Sequence, residues 1–562
     1  MKRSMPLALI VAAIAAVVGA CPVPQPTSEG EGEGQGEGEG EGEGGEGEGE
    51  GGEGEGEGGE GEGEGEGGEG EGEGEGEGEG ESGLPPSVEV GDGAGTLLRG
   101  TIITPGGVID GEVLVVGETI VCVGDCADDE AAVGATVIET RGVISPGLID
   151  THNHILFDIF DETHWAPVTL YDDHNAWTNE ARYQEMLDVK QCLANDSQGK
   201  PAWCAQTPYG TAAGSLRCEL DKWGELKGLI AGTTSIVGLP GTSSGCFRSL
   251  ARSVDVAQNG LDGDRIRTSA IFPPSRSTAD SVCGDYADDD IDAFLIHCGE
   301  GTDESMRAEF TRLQTASTTP GCLLAPQTTI THGTAFQEED FAVMANAGMH
   351  LTWSPRSNIF LYGQTTDVVT ARARGVQVAL APDWSLGGSQ NLLDELAFAA
   401  RIDDIEFDDV LDDDDLVQMV TSTAAGAIGL EARLGAIAPG YLADISVFAD
   451  KGGTDAYATV VQAKPSSVRL VMVGGVILYG DAVLQASTPR APLCERLDIC
   501  GADKFLCVAE DSSANKLDQR YADIAAALGE AFTLVDQVRP DDGQPFVAPT
   551  PIVRCHDEAG AE

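Results

Sequence analysis

The chain has 562 residues, 41% of them hydrophobic, and a formal net charge of −63. So acidic a chain excludes nucleic acid as an expected partner, because a phosphate backbone is bound by a basic face. The length suits a large barrel with an accessory domain better than one small core.

In chain order, Lys2 and Arg3 precede an apolar run from Pro6 to Ala20 that is too short to span a bilayer as a helix. It ends in Val18-Gly19-Ala20-Cys21, which resembles a bacterial lipobox. The resemblance implies that residues 1–20 are a lipoprotein signal peptide and that Cys21 is lipidated. The protein would then sit in a bacterial cell envelope, touching membrane only through that anchor. Pro22 after the cysteine resembles an outer-membrane sorting signal, with the protein periplasmic or surface-facing. Residues 21–95 are expected to be a disordered tether. From Glu29 to Gly83 the chain is almost pure Glu-Gly alternation, with no apolar residue whose burial would offset the entropy of ordering.

Fourteen cysteines in an exported chain suggest disulfides, with at least one thiol left over if Cys21 is lipidated. Expected pairs are Cys122 with Cys126, Cys192 with Cys204 or Cys218, and pairings within Cys494, Cys500, Cys507 and Cys555. Cys298, beside His297 in an apolar run, is expected to be a buried free thiol. No C-x-x-C pair occurs, which argues against a structural zinc ribbon.

Residues 96–144 read as short strands split by Gly- and Asp-rich turns, the first part of a β-sandwich. Residues 145–430 then alternate helical stretches with short apolar strands, the pattern of a parallel (β/α)8 barrel. Residues 431–481 return to short strands and are expected to complete the β-sandwich from the other side of the barrel. Residues 482–562 form a Cys-containing extension with one amphipathic helix, "YADIAAALGEAFTLVDQV".

A barrel places catalytic groups at the C-terminal ends of its strands. His152 and His154 end "GLIDTHNH" and share one face, because side chains alternate along a strand. His297 ends "AFLIH", His332 ends "TTITH" and Asp383 ends "VALAPD". Imidazoles with a carboxylate can hold zinc or iron, which brings a bound water's pKa toward neutrality. Asp383 can bind metal and take the water proton. Glu300, close by but not a ligand, can donate a proton to a leaving amine. His332 can polarise the electrophile as well as bind metal.

The motifs "PGLIDTHNH", "IHCGEGTDE", "THG", "WSPRSNIFLYG", "APDWS" and "LGAIAPGYLADISVF", in this order from about Thr96 to Gly480, resemble the amidohydrolase superfamily. The similar branch contains the cytosine, guanine and S-adenosylhomocysteine deaminases and the triazine chlorohydrolases. The resemblance implies one divalent metal, Zn or Fe, on His152, His154, His297, His332 and Asp383, with Glu300 as the family's glutamate. It implies hydrolysis of a non-peptide C–N bond, in a cyclic amide or an amidine, of a small-molecule substrate. An exported peptidase-like or acyl-amino-acid hydrolase, or a non-catalytic ligand-binding lipoprotein, is the alternative. The chain has no lysine between Lys227 and Lys451, so the carboxylated-lysine bridge of dinuclear relatives is not expected.

One motif departs from the branch. Ser354 stands in Trp353-Ser-Pro-Arg-Ser-Asn358 where many of these deaminases carry histidine. A serine cannot replace an imidazole as acid or base near neutral pH, which shifts weight from aromatic deamination toward other C–N hydrolysis. Ser354, Arg356 and Trp384 are candidate substrate contacts, with Trp353 and Tyr362 as further pocket candidates. His164 and His174 lie in the long segment after the first barrel strand, where exposure is expected.

Overall fold

A computed structural model describes residues 84–555, apart from 197–198, 239–249, 256–260, 262–264, 270–271, 451, 453–454 and 541–542. The signal peptide, Cys21 and the Glu-Gly tract through residue 83 lie outside the described residues.

The first five strands are β1 (Ser87–Glu89), β2 (Gly95–Thr104), β3 (Gly107–Val116), β4 (Thr119–Gly124) and β5 (Thr136–Pro146). Eight barrel strands follow: β6 (Leu148–Asp150), β7 (Thr233–Ile236), β8 (Arg252–Ser253), β9 (Ile266–Ser269), β10 (Ala293–Cys298), β11 (Thr328–His332), β12 (His350–Trp353) and β13 (Gln377–Leu380). The last five are β14 (Ile445–Ala449), β15 (Val468–Val473), β16 (Val476–Asp481), β17 (Glu495–Ile499) and β18 (Ala502–Leu506).

β9 to β13 pair in sequence order and in parallel, and so do β6 to β8. The two ladders meet where Asn153 bridges Asp383 in parallel, just past the ends of β6 and β13. The barrel strands are almost wholly buried, and their apolar side chains share cores with the surrounding helices. This is the expected α/β barrel. β8 escapes a sequence reading because two residues, one of them the charged Arg252, make no periodic pattern.

The flanking strands form one ten-stranded sheet in which β14, β15 and β16 from after the barrel continue β5, β2, β3 and β4 from before it. Leu98, Ile102, Val113, Ile445, Leu470 and Met472 share its core, so chain ends hundreds of residues apart bury one apolar surface together. β17 and β18, from the C-terminal extension, lengthen this sheet beyond β16.

The helix Tyr521–Val538 buries Ile524, Leu528, Phe532 and Val535, the apolar stripe of the predicted amphipathic stretch. Disulfides join Cys122 to Cys126, Cys192 to Cys204, Cys494 to Cys507 and Cys500 to Cys555. Cys283 and Cys322 form a further bridge that their sequence spacing does not announce. Cys298 is free and buried.

Candidate metal centre

The ends of the first, fifth, sixth and eighth barrel strands converge. His152 Nε2 lies 2.9 Å from Asp383 Oδ1, and His154 Nε2 lies 3.4 Å from the same oxygen. His154 Nε2 and His297 Nε2 are 3.3 Å apart. The rings of His152 and His332 have centroids 5.3 Å apart. Two overlapping groups, His152–His297–His332 and His152–His154–Asp383, each bring their ligand atoms within 4.8 Å of one another. His332 and Asp383 both adopt left-handed backbone, with φ of 73° and 70°, a conformation uncommon for residues that carry a side chain.

Burial keeps His152, His154 and His332 neutral, the form that ligates metal. The pKa values of His152 and His154 fall well below the ordinary histidine value, and that of His332 falls to about 4. Neutral imidazoles converging on a carboxylate fit a divalent ion. Asp150 lies behind them, accepting from the His152 amide at 3.1 Å and from Asn153 Nδ2 at 2.9 Å. Burial raises its pKa well above the ordinary value, against the pull of these two donors. Lys227 sits on the helix Arg217–Leu229, its ammonium 2.9 Å from Gln390 Oε1.

The second nitrogens of His297 and His332 differ. His297 Nδ1 faces the carbonyl of Ser269 at 3.2 Å, so it carries the proton and leaves Nε2 with a free lone pair. His332 Nδ1 instead accepts from Asn358 Nδ2 at 3.2 Å. The Asn358 amide is oriented by Thr365, whose hydroxyl donates to Oδ1 at 3.4 Å, while the neighbouring Thr366 hydroxyl donates to the His332 carbonyl at 2.7 Å. His332 Nε2 therefore carries the proton of the neutral ring. That nitrogen is a donor, and it lies 3.9 Å from Glu300 Oε2.

Glu300 follows β10 and is buried. Tyr362 Oη donates to its Oε1 at 2.5 Å, and Trp177 Nε1 donates to Tyr362 Oη at 2.9 Å. Burial would raise the Glu300 pKa, but His332, His174 and His297 outweigh it and hold the carboxyl below its ordinary value. Ser357 Oγ donates to Asp383 Oδ2 at 2.5 Å. The helix Pro355–Tyr362 thus supports Asp383 through Ser357, His332 through Asn358 and Glu300 through Tyr362. The sequence marked Tyr362 only as pocket lining and assigned Ser357 and Asn358 nothing. The signal for Asn358 and Tyr362 was their i, i+4 spacing on a helix directly after a strand end; Ser357 carried none.

The tentative substrate contacts separate. Trp384 is buried beside the cluster, its ring 5.5 Å from that of His154 and 5.5 Å from that of Trp177, and among the described residues its Nε1–H has no hydrogen-bond partner. Ser354 is fully buried, with its hydroxyl likewise unpaired among the described residues. The Arg356 guanidinium stands over the ring of Phe398, 5.3 Å from its centroid, packing between two helices. Trp353 is buried, with its Nε1 donating to Thr365 Oγ1 at 2.7 Å and its ring against Phe407. The two histidines expected to be exposed are not. His164 is buried, with Nε2 donating to the Ala548 carbonyl at 2.8 Å, and the His174 side chain is 16% exposed and faces Glu300.

A parallel barrel with histidines at the ends of strands one, five and six and an aspartate at the end of strand eight defines the class: a metal-dependent hydrolase barrel. Residues 277–478 match the amidohydrolase family model. The chain is 26% identical over 426 residues to a 5-methylthioadenosine/S-adenosylhomocysteine deaminase of Symbiobacterium thermophilum, covering 68% of this chain and 92% of that protein. The fold is similar to that of a zinc-complexed atrazine chlorohydrolase from Arthrobacter aurescens, with TM-score 0.53 and 18% identity, covering 68% of this chain and 95% of that one. It is similar also to a zinc-bound adenosine deaminase from Xanthomonas campestris, with TM-score 0.54 and 15% identity, covering 79% of this chain and 98% of that one.

Proposed function

We propose that the chain hydrolyses a non-peptide C–N bond of a small nitrogen heterocycle with one bound zinc or iron ion, held by His152, His154, His297 and Asp383. The observation that carries this reading is the burial of Glu300 beside His332 but outside both ligand groups, where a proton carrier is needed and a ligand is not. The ion supplies a Lewis acid and a water of lowered pKa. With the ion bound, Asp383 would take the proton of the attacking water. His332, protonated at Nε2, donates a hydrogen bond to the ring atom that gains negative charge. Glu300, ionised in the resting site, would receive the proton that Asp383 removes from the water and pass it to the leaving nitrogen, so that both carboxylates end as they began. Trp384 and Trp177 offer flat apolar faces beside His154, which suits a planar substrate. The nucleoside deaminase found among the relatives supports an aminated heterocycle as substrate. The test is ammonia release from 5′-methylthioadenosine, S-adenosylhomocysteine, adenosine, guanine and aminotriazines by zinc-loaded protein. Full metal loading without turnover of any C–N substrate would return the chain to a binding role.

Ser354 favours a second reading, hydrolysis of a cyclic amide, because its buried hydroxyl cannot exchange protons near neutral pH as a histidine does. Cyclic ureides and lactams in the same assay separate the two.

We further propose export and anchoring through Cys21. Five disulfides among the described residues support an oxidising compartment. Fractionation and lipid labelling of Cys21→Ser test this: a variant that stays membrane-bound and labelled refutes the anchor.

A further inference from the structure

Each oxygen of the Glu300 carboxylate has its own neighbour. Tyr362 Oη holds Oε1 at 2.5 Å, and His174 Nδ1 stands 3.5 Å from Oε2. On the far side of the imidazole, His174 Nε2 lies 3.7 Å from Glu309 Oε1. Glu309 is itself fixed, with Oε2 accepting from the Gly299 amide at 2.9 Å and Oε1 within 3.3 Å of the Arg312 guanidinium. His174 is thus an imidazole between two buried carboxylates, one of them the candidate proton carrier.

The backbone brings His174 there. The segment before it crosses the loop after β10, where Thr302 N donates to the Asp172 carbonyl at 2.8 Å and Asp173 bridges Gly301. A Cβ at Gly301 would stand 2.5 Å from the Asp172 carbonyl oxygen, so only glycine permits this approach. Tyr171 N donates to the Leu361 carbonyl at 3.0 Å, and Asp173 caps the turn His174–Trp177 by accepting from Asn175 N. One short turn therefore reaches Glu300 twice: directly through His174, and through Trp177 and Tyr362.

We propose that His174 is a positioning residue for Glu300: its Nδ1–H holds Oε2 while Tyr362 holds Oε1, so the carboxyl is kept beside His332 and turned to the reacting nitrogen. Glu309 and the capping Asp173 face the ring as well, and among the described residues no other titratable group set against His174 competes with Glu300 for Nδ1. Burial disfavours the charged ring, yet Glu300 and Glu309 outweigh it and raise the His174 pKa, which keeps a proton on Nδ1. This assignment rests on the hydrolase reading, in which Glu300 carries the leaving-group proton.

The test compares His174→Ala, His174→Asn and His174→Gln as full-length, zinc-loaded proteins. Asparagine places an amide donor close to where Nδ1 lies, whereas glutamine places it near Nε2, toward Glu309. The readouts are zinc per chain, kcat and KM on the best substrate of the panel above, and the Glu300 rotamer in crystals of each variant. Zinc content and KM should stay near wild type. With alanine or glutamine, kcat should fall by roughly tenfold to a hundredfold, the worth of one hydrogen bond to a charged group. Asparagine should recover much of that loss, and Glu300 should leave its place only in the other two variants. An equal loss in all three variants, rescue by glutamine instead of asparagine, or an unmoved Glu300 in His174→Ala overturns the proposal. If the wild type carries zinc and turns over nothing, the hydrolase reading fails, and the Glu300 rotamers alone decide what His174 does.

Discussion

His297 and His332 stand on neighbouring strands with ring centroids 5.2 Å apart, yet the Nδ1 of one donates its N–H to a carbonyl and the Nδ1 of the other accepts a hydrogen bond from an amide. This opposite wiring divides the labour that identical side chains leave ambiguous. His297 presents a lone pair at Nε2, and His332 presents a proton.

The two alanine variants should therefore behave differently. His297→Ala should lower both metal affinity and turnover, because it removes a ligand. His332→Ala should keep most of the metal while losing roughly 10²–10³-fold in kcat, the usual loss for one donor to a developing charge. Metal analysis of the purified variants decides this. Loss of metal from His332→Ala would make His332 a ligand after all.

Glu300→Gln keeps size and hydrogen-bonding shape but cannot carry the proton. Turnover should fall by roughly 10²–10⁴-fold with metal content unchanged. Full activity in this variant on a verified substrate would remove Glu300 from the mechanism.

Metal removal gives a direct check. Dialysis against a chelator should abolish turnover, and one equivalent of zinc or ferrous iron should restore it. Recovery that saturates only at two equivalents would argue for a dinuclear centre.

Glu395 predicts a pH effect on stability. Burial raises its pKa from the ordinary value of 4.5 to about 7, opposed by hydrogen bonds from Ser389 and the Arg356 amide. The native state keeps a proton that the unfolded chain gives up more readily. The contribution is complete below the unfolded value and is lost as pH rises through about 7. Its size is up to about 3 kcal/mol. Glu395→Gln should flatten this part of the pH–stability curve and be more stable than wild type at alkaline pH. Thermal melts across the range test it, and an unchanged pH slope would refute it.

The C-terminal tail should stabilise the segment over the site. Thr550 N donates to the Ile159 carbonyl at 2.8 Å, Arg554 pairs with Asp161 and Glu162, and Cys555 is bonded to Cys500. Replacing both cysteines with serine should cost roughly 2–4 kcal/mol of stability. A melting temperature equal to wild type would show that the tail is held without the bridge.

Periodicity and residue type made the barrel, the flanking sheet strands and the C-terminal helix legible in the sequence. Each of these depends on local alternation or helical spacing, which a single chain displays. The strand-end histidines, Asp383 and Glu300 were legible as well, because a barrel's topology sends successive strand ends to one mouth. What the tertiary structure alone decided is which hydrogen bonds those groups receive. Asn358 sets the proton of His332 and Ser269 that of His297, while His174 crosses more than a hundred residues of sequence to meet Glu300. The Cys283–Cys322 bridge and the two-residue β8 belong with these. A hydrogen bond acts over about 3 Å between chosen atoms. Composition and spacing carry no such information until packing brings distant segments together.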